Sequence, residues 1–214
     1  MRSSKHNPEV SGHGARPRAV FVVSAASPDQ FPKDGLPEIA FLGRSNVGKS
    51  SLLNVLTAQK NLARVSSTPG RTRWVNFFRY GSDLYLADLP GYGYAKVPEA
   101  VRLSWEHLVT SYMVDRAPLA LCLFLVDVRH DPTDGDATLR EFLEQNGLRY
   151  ALVATKADKL GRGELARRVS ALQKGLGARA QDVVAVSSQT GAGTDALWRL
   201  IRTAAVNHPK GSMA

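Results

Sequence analysis

Gly43-Arg44-Ser45-Asn46-Val47-Gly48-Lys49-Ser50 carries glycine and lysine at the spacing G-x-x-x-x-G-K-[ST], the pattern of a phosphate-binding loop. Glycine lets a backbone curl until successive N–H groups face one anion, and the N-terminus of a following helix adds partial positive charge. Lys49 would reach the β- and γ-phosphates of a nucleotide, and the Ser50 hydroxyl would bind Mg²⁺. The flanks suit this chemistry. Glu38-Ile39-Ala40-Phe41-Leu42 reads as a short apolar strand entering the loop, and Leu52, Leu53, Val55 and Leu56 follow it at helical spacing. A strand before and a helix after turn a bare pattern match into a nucleoside triphosphate site.

The base is specified further along. Thr155-Lys156-Ala157-Asp158 follows the apolar run Tyr150-Ala151-Leu152-Val153-Ala154, where a GTPase carries its guanine-reading N/T-K-x-D. A carboxylate at Asp158 accepts two parallel hydrogen bonds from guanine N1–H and N2–H₂, whereas adenine offers it a lone pair. Sites built on such bonds discriminate by ~10⁴-fold, because the wrong ligand leaves buried polar groups unsatisfied. The Lys156 stem would lie over base and ribose. Asp88-Leu89-Pro90-Gly91, after the strand Leu84-Tyr85-Leu86-Ala87, matches D-x-x-G. Asp88 would hold Mg²⁺ through a water and the Gly91 N–H would contact the γ-phosphate. Ser187-Ser188-Gln189-Thr190-Gly191 follows a strand ending at Val186, and its backbone and hydroxyls would close over guanine O6. All four motifs stand at the C-terminal ends of predicted strands.

Those strands alternate with helices. The pattern predicts a lead-in strand over 19–24, strand 38–43, helix 49–59, strands 74–80 and 83–88 joined at Gly81-Ser82, and helix 98–115 opened by Pro98. Strand 119–127, a helix from Pro132 to Asn146 capped by Gly147, strand 149–155, helix 163–175, strand 182–187 and helix 193–206 follow. Such alternation implies an α/β, three-layer P-loop NTPase fold: a mostly parallel sheet, helices on both faces, and one antiparallel edge strand from the hairpin. At 214 residues and 43% hydrophobic the chain fits one such domain, expected over 18–206. Residues 1–17 and 207–214 are polar, lack periodicity and read as a disordered basic arm and a flexible tail. The longest apolar run, Leu119 to Val126, is too short for a membrane span, and no secretory signal is expected at Met1. Cys122 within that run reads as a core residue in a reducing cytoplasm. His130, in Val128-Arg129-His130-Asp131-Pro132, reads as part of a strand-end turn rather than a catalytic base.

The formal charge of +9 is concentrated. Lys60, Arg64, Arg71, Arg73 and Arg79 lie in a stretch without acids, interleaved with Trp74, Phe77, Phe78 and Tyr80. Arg162, Arg167, Arg168, Lys174 and Arg179 face only Glu164. Two readings stand for the aromatics: stacking platforms for unpaired RNA bases, or strand core. The charge excess implies a polyanionic partner bound in a salt-sensitive way.

GRSNVGKSSLLN, NLARVSSTPGRT, DLPGYGYAKV and ATKADK together resemble the EngB (YsxC/YihA) family of bacterial ribosome-biogenesis GTP-binding proteins, over roughly residues 18–206. The resemblance implies a cytoplasmic, TRAFAC-type GTPase using GTP/GDP and Mg²⁺, acting on the large ribosomal subunit or its precursor and linked to cell division and septation. The residues leave Thr68 and Thr72 open as a switch hydroxyl; the resemblance selects Thr72 as the Mg²⁺ ligand. It sets Gly70, Arg71, Arg73 and Trp74 beside the nucleotide and gives Lys49, Thr72 and Gly91 the catalytic contacts. Thr155 replaces the Asn of most GTPases, and a hydroxyl offers fewer hydrogen bonds than a carboxamide, so modest affinity is expected.

Hydrolysis needs an in-line water. Many GTPases place a water-orienting glutamine directly after D-x-x-G; here Tyr92 stands there, and slow intrinsic turnover is expected. Asn46 has two readings, a backbone cap of the loop or a ligand for K⁺ beside the phosphates, as in related GTPases lacking that glutamine. Tyr92 and Tyr94 are alternatively a docking surface that changes with nucleotide state. The leading expectation is a monomeric switch; the alternative is a GTP-regulated RNA- or division-associated scaffold in which hydrolysis is incidental.

Overall fold

The computed structural model describes residues 17–64, 74–92, 99–114, 116–177 and 183–209. Seven strands form one sheet in the order β1-β3-β4-β2-β5-β6-β7. They span β1 Ala19–Ala25, β2 Glu38–Gly43, β3 Val75–Tyr80, β4 Leu84–Asp88, β5 Leu119–Asp127, β6 Tyr150–Thr155 and β7 Val183–Ala185. From β4 across to β7 neighbours run parallel, whereas β3 runs antiparallel to both β1 and β4. The hairpin therefore reverses one strand near the edge as expected, and β1 lies outside it.

The central strands read as continuous apolar runs because both of their faces are covered. Ile39 and Phe41 of β2, with Leu121, Leu123 and Leu125 of β5, pack against Leu52, Leu53 and Leu56 of α1 (Lys49–Leu56) and Leu197, Trp198 and Ile201 of α5 (Thr194–Val206). Ala40, Leu42, Cys122, Phe124 and Val126 point the other way. They meet Leu108, Tyr112 and Met113 of α2 (Glu99–Val114), Leu143 of α3 (Asp134–Gln145) and Leu172 of α4 (Arg162–Gly175). This is a three-layer α/β fold. Cys122 is fully buried and its thiol is pushed up to about 12 by desolvation.

Some boundaries differ from the periodicity. Helix α1 stops at Leu56 because the Thr57 hydroxyl bonds back to the Leu53 carbonyl and Ala58 turns left-handed at φ 53°. Helix α3 starts at Asp134 behind a capping box made by Thr133 and Asp136. Pro98, Arg179 and most of both terminal arms lie outside the described residues. Among the described residues no helix is long and apolar enough to cross a membrane.

The chain leaves β2 with β4 on one side and β5 on the other. In open α/β sheets the crevice at the carboxyl ends of strands that diverge in this way is where ligands sit.

Candidate functional site

The loop 43–50 occupies that crevice, and its geometry follows from two residue types. Gly43 sits at φ 147°, and a Cβ there would lie 2.6 Å from the Leu125 carbonyl oxygen, so only glycine lets the loop pass β5. Asn46 adopts φ 63°, a left-handed conformation that Asn tolerates better than most residues. Lys49 is buried and donates from Nζ to the carbonyls of Gly43 at 3.0 Å and Arg44 at 3.2 Å. Burial lowers its pKa, with nearby Asp88 pulling the other way.

Ser50 donates from Oγ to Asp88 Oδ2 at 2.9 Å. Asp88 is 3% exposed, and its Oδ1 is buried with no hydrogen-bond partner among the described residues. Burial raises the Asp88 pKa, against Lys49 and the Ser50 hydroxyl. An orphaned carboxylate oxygen beside a hydroxyl is a hard-oxygen donor set of the kind Mg²⁺ takes, and a cation there would restore the charged form. The residues present fit the ion. Thr72, with Thr68, Gly70, Arg71 and Arg73, lies outside the described residues.

At the other end of the crevice, Thr155 is buried. Its hydroxyl donates to the Val47 carbonyl at 2.8 Å, with the Val126 carbonyl also in reach at 3.1 Å, tying β6 to the phosphate loop. Its single proton serves the loop carbonyl, which leaves the hydroxyl only its oxygen, as an acceptor, for a ligand. Lys156, left-handed at φ 61°, donates to the Asn46 carbonyl and to Asp127 Oδ2, each at 2.9 Å. Asp158 accepts from Ser187 Oγ at 2.7 Å and pairs with Lys159 at 3.2 Å, and the Ser187 hydroxyl leads the causes that lower its pKa. Ser187 Oγ also accepts the N–H groups of Gln189 and Thr190, both at 3.1 Å. Ser187 thus braces Asp158 and its own turn, and half-buried Ser188 follows it. The side chains of Val47, Leu89, Pro90, Ala157 and Val186 are buried, so these residues present only backbone to a ligand.

Spacing alone does not single out Asp127. It ends β5 at the same sheet edge as the motifs, which is the signal that would have found it. Burial alone would raise its pKa, but hydrogen bonds from Arg129 and Lys156 hold it well below the usual carboxylate range. Arg129 grips both of its oxygens, at 2.9 and 2.7 Å. A pocket of about 230 Å³ opens beside the loop, lined among others by Arg44, Asn46, Asp127, Arg129, Asp136 and Lys156. His130 lies in the strand-end turn, exposed, 4.0 Å from Asp127. Asp127→Asn is expected to weaken GDP and IDP equally, by about tenfold, the size of one hydrogen bond between charged groups. Titration with fluorescent analogues of both checks it. A loss confined to GDP would contradict placement through Lys156.

The aromatic expectation is resolved residue by residue. Phe77, Phe78 and Tyr80 are at most 4% exposed, because β3 is interior to the sheet and covered on both faces. They are core, with Tyr80 stacked 4.6 Å from Trp198, and are unavailable to RNA bases. Trp74 alone of the four is exposed, at 52%. Lys60, Arg64 and Arg79 are exposed, as are Arg162, Arg167 and Lys174 on or beside α4. Tyr92 is half-buried, its hydroxyl donating to Asp136 Oδ1 at 2.6 Å; Gly93 and Tyr94 lie outside the described residues.

A P-loop at a sheet switch point, an Asp–Ser pair fitted to Mg²⁺ and a carboxylate braced at the base end define a P-loop GTPase. A family model described as 50S ribosome-binding GTPase matches residues 38–156. A probable GTP-binding protein EngB from Syntrophus aciditrophicus is 46% identical over 184 residues, covering 86% of this chain and 93% of that protein. The chain belongs to the EngB family of GTP-binding proteins. Among solved structures, a probable GTP-binding protein EngB shares the fold at TM-score 0.65 and 20% identity, covering 79% of this chain and 98% of that one. Era from Aquifex aeolicus, bound to GDP and aluminium fluoride, shares it at TM-score 0.66 and 22% identity, covering 83% and 58%.

Proposed function

We propose that this chain is a slow GTPase switch that engages the large ribosomal subunit or its precursor, rRNA and ribosomal proteins, in the GTP state and leaves after hydrolysis. It works as a cytoplasmic monomer, and normal cell division depends on that step. The observation that carries the reading is the seating of the D-x-x-G segment on the phosphate loop: the Ser45 N–H donates to the Tyr92 carbonyl at 3.1 Å. A ligand in the loop is thereby felt by Tyr92 and by the chain that follows it. The description of the matching family model, and a charge of +9, support a ribosomal, polyanionic partner.

In this reading the amides of residues 43–50 and Lys49 hold the phosphates, and Ser50, Thr72 and Asp88 serve Mg²⁺. Gly91 meets the γ-phosphate, and Lys156, Asp158 and the 186–188 turn enclose the base. K⁺ beside Asn46 belongs to the proposal too. Its carboxamide is exposed and has no hydrogen-bond partner among the described residues. Equal hydrolysis rates in KCl and NaCl would count against K⁺. With Tyr92 bound to Asp136 there is no water-orienting amide at that position, so unstimulated turnover is expected well below ~1 s⁻¹, the lower end for assisted phosphoryl transfer.

Co-sedimentation with ribosomal subunits tests the partner. Large-subunit pelleting with a non-hydrolysable GTP analogue but not with GDP, weakening as salt rises, is the expected result. Pelleting indifferent to nucleotide favours the scaffold, and none at any salt contradicts the ribosomal partner.

A further inference from the structure

Tyr92 stands where an in-line water would be oriented, yet its phenol is seated in a socket on α3. Its hydroxyl donates to Asp136 Oδ1 at 2.6 Å. The other oxygen of Asp136 accepts the backbone N–H and the hydroxyl of Thr133, both at 2.7 Å, and Asp136 is 1% exposed. The acceptor is therefore fixed in one orientation before Tyr92 reaches it. The ring lies against Gly135, where an added Cβ would come within 3.2 and 3.3 Å of two ring carbons. A glycine in the first turn of a helix costs helix propensity, and here its bare Cα makes room for the ring.

The backbone of the same residue is held from the opposite side. Tyr92 forms a parallel bridge with Arg44 and accepts the Ser45 N–H. One residue earlier, Gly91 is packed so closely that a Cβ would lie 2.8 Å from both Lys49 Nζ and the Ser45 nitrogen. The segment is clamped between phosphate loop and α3, with Gly91 at the phosphate end.

We propose that Tyr92 is a positioning residue for GTP: seated on Gly135 and hydrogen-bonded to Asp136, it sets the placement of Gly91 against the phosphate loop, and so the response to the γ-phosphate. It rests on the reading of Gly91 as the γ-phosphate contact. In this role the phenol acts through the backbone of its neighbour. Desolvation, and after it Asp136, raise the phenol pKa, so the hydroxyl keeps its proton at neutral pH.

The test compares affinities for GDP and a non-hydrolysable GTP analogue, together with single-turnover hydrolysis, in Tyr92→Phe, Gly135→Ala and Gly91→Ala of the full chain. Tyr92→Phe removes one hydroxyl, and Gly135→Ala pushes the ring while meeting the Thr133 hydroxyl only at an ordinary van der Waals distance of 3.8 Å. Each is expected to weaken the analogue and slow hydrolysis by about tenfold, the worth of one hydrogen bond to a charged acceptor. GDP affinity should stay within about twofold, because a ligand that makes no contact with Gly91 gains nothing from its placement. Gly135→Ala separates the roles sharply. A merely structural Gly135 would make this variant as stable or more stable by helix propensity, with unchanged analogue binding, and that result overturns the proposal. Equal losses for GDP and analogue in both socket variants also overturn it. Should Gly91→Ala leave the analogue-to-GDP ratio unmoved, the underlying reading of Gly91 fails instead.

Discussion

Asp158→Asn is expected to lower GTP affinity by about 10⁴-fold, because one oxygen that accepts a guanine N–H becomes an amide that points a donor at a donor. The geometry leaves no escape. Asp158 is held by Ser187 Oγ at 2.7 Å and by Lys159, so the new side chain cannot swing its oxygen toward both guanine donors. Xanthine carries a carbonyl in place of the 2-amino group and accepts from that amide, so xanthosine triphosphate should gain affinity as GTP loses it. Displacement of a fluorescent guanine nucleotide by GTP and by xanthosine triphosphate, in parent and variant, measures the exchange. Comparable loss of both would mean that the substitution damaged the site rather than its donor–acceptor code.

The second large effect is on stability. Glu38 at the start of β2 is 1% exposed and receives hydrogen bonds from the Tyr112 hydroxyl at 2.9 Å and from Arg116 Nε at 3.0 Å; a second Arg116 nitrogen reaches its other oxygen and the Pro32 carbonyl. Arg116→Ala strands this carboxylate and should cost about 3–5 kcal/mol. For a domain of this size that lowers Tm by roughly 10 °C. Desolvation, opposed first by Arg116, raises the Glu38 pKa even with its partner present. A carboxyl whose folded pKa lies above its unfolded value takes up a proton more readily when folded. Its favourable contribution is therefore complete below the ordinary carboxylate range and is lost as pH rises through the raised value. The Arg116→Ala penalty should accordingly shrink as pH falls from 8 toward the acid side, where the stranded group takes its proton. Thermal melts across that range check it, and a penalty that grows on acidification would contradict the burial argument. Replacing Glu38, Tyr112 and Arg116 together by Met, Phe and Met should return most of the loss.

What the sequence disclosed follows from chemistry that restricts residue type and spacing together. A phosphate loop must have glycine where β2 passes the Leu125 carbonyl, and lysine at the first position of the following helix, so residues 43–50 are legible on sight. The central strands were equally legible, because burial on both faces leaves unbroken runs such as Leu119 to Val126. The polar pairs that brace the site were not. Tyr92 with Asp136, Lys156 with Asp127 and Arg116 with Glu38 meet across the sheet from distant positions, and no local period links them. Phe77 and Phe78 were ambiguous for a related reason: adjacent aromatics fit an RNA platform or a strand buried on both sides, and only the placement of β1 outside β3 decides it. The contact of the Thr155 hydroxyl with the Val47 carbonyl was hidden for the same reason, because the fold alone brings the two together.

The most direct test of the whole account is competition for fluorescent GDP on the unmodified chain with Mg²⁺ present. GTP should displace the label at about 10⁴-fold lower concentration than ATP, since adenine leaves the braced Asp158 carboxylate without its donors. ATP displacing the label within about tenfold of GTP would contradict a site that reads guanine through Asp158.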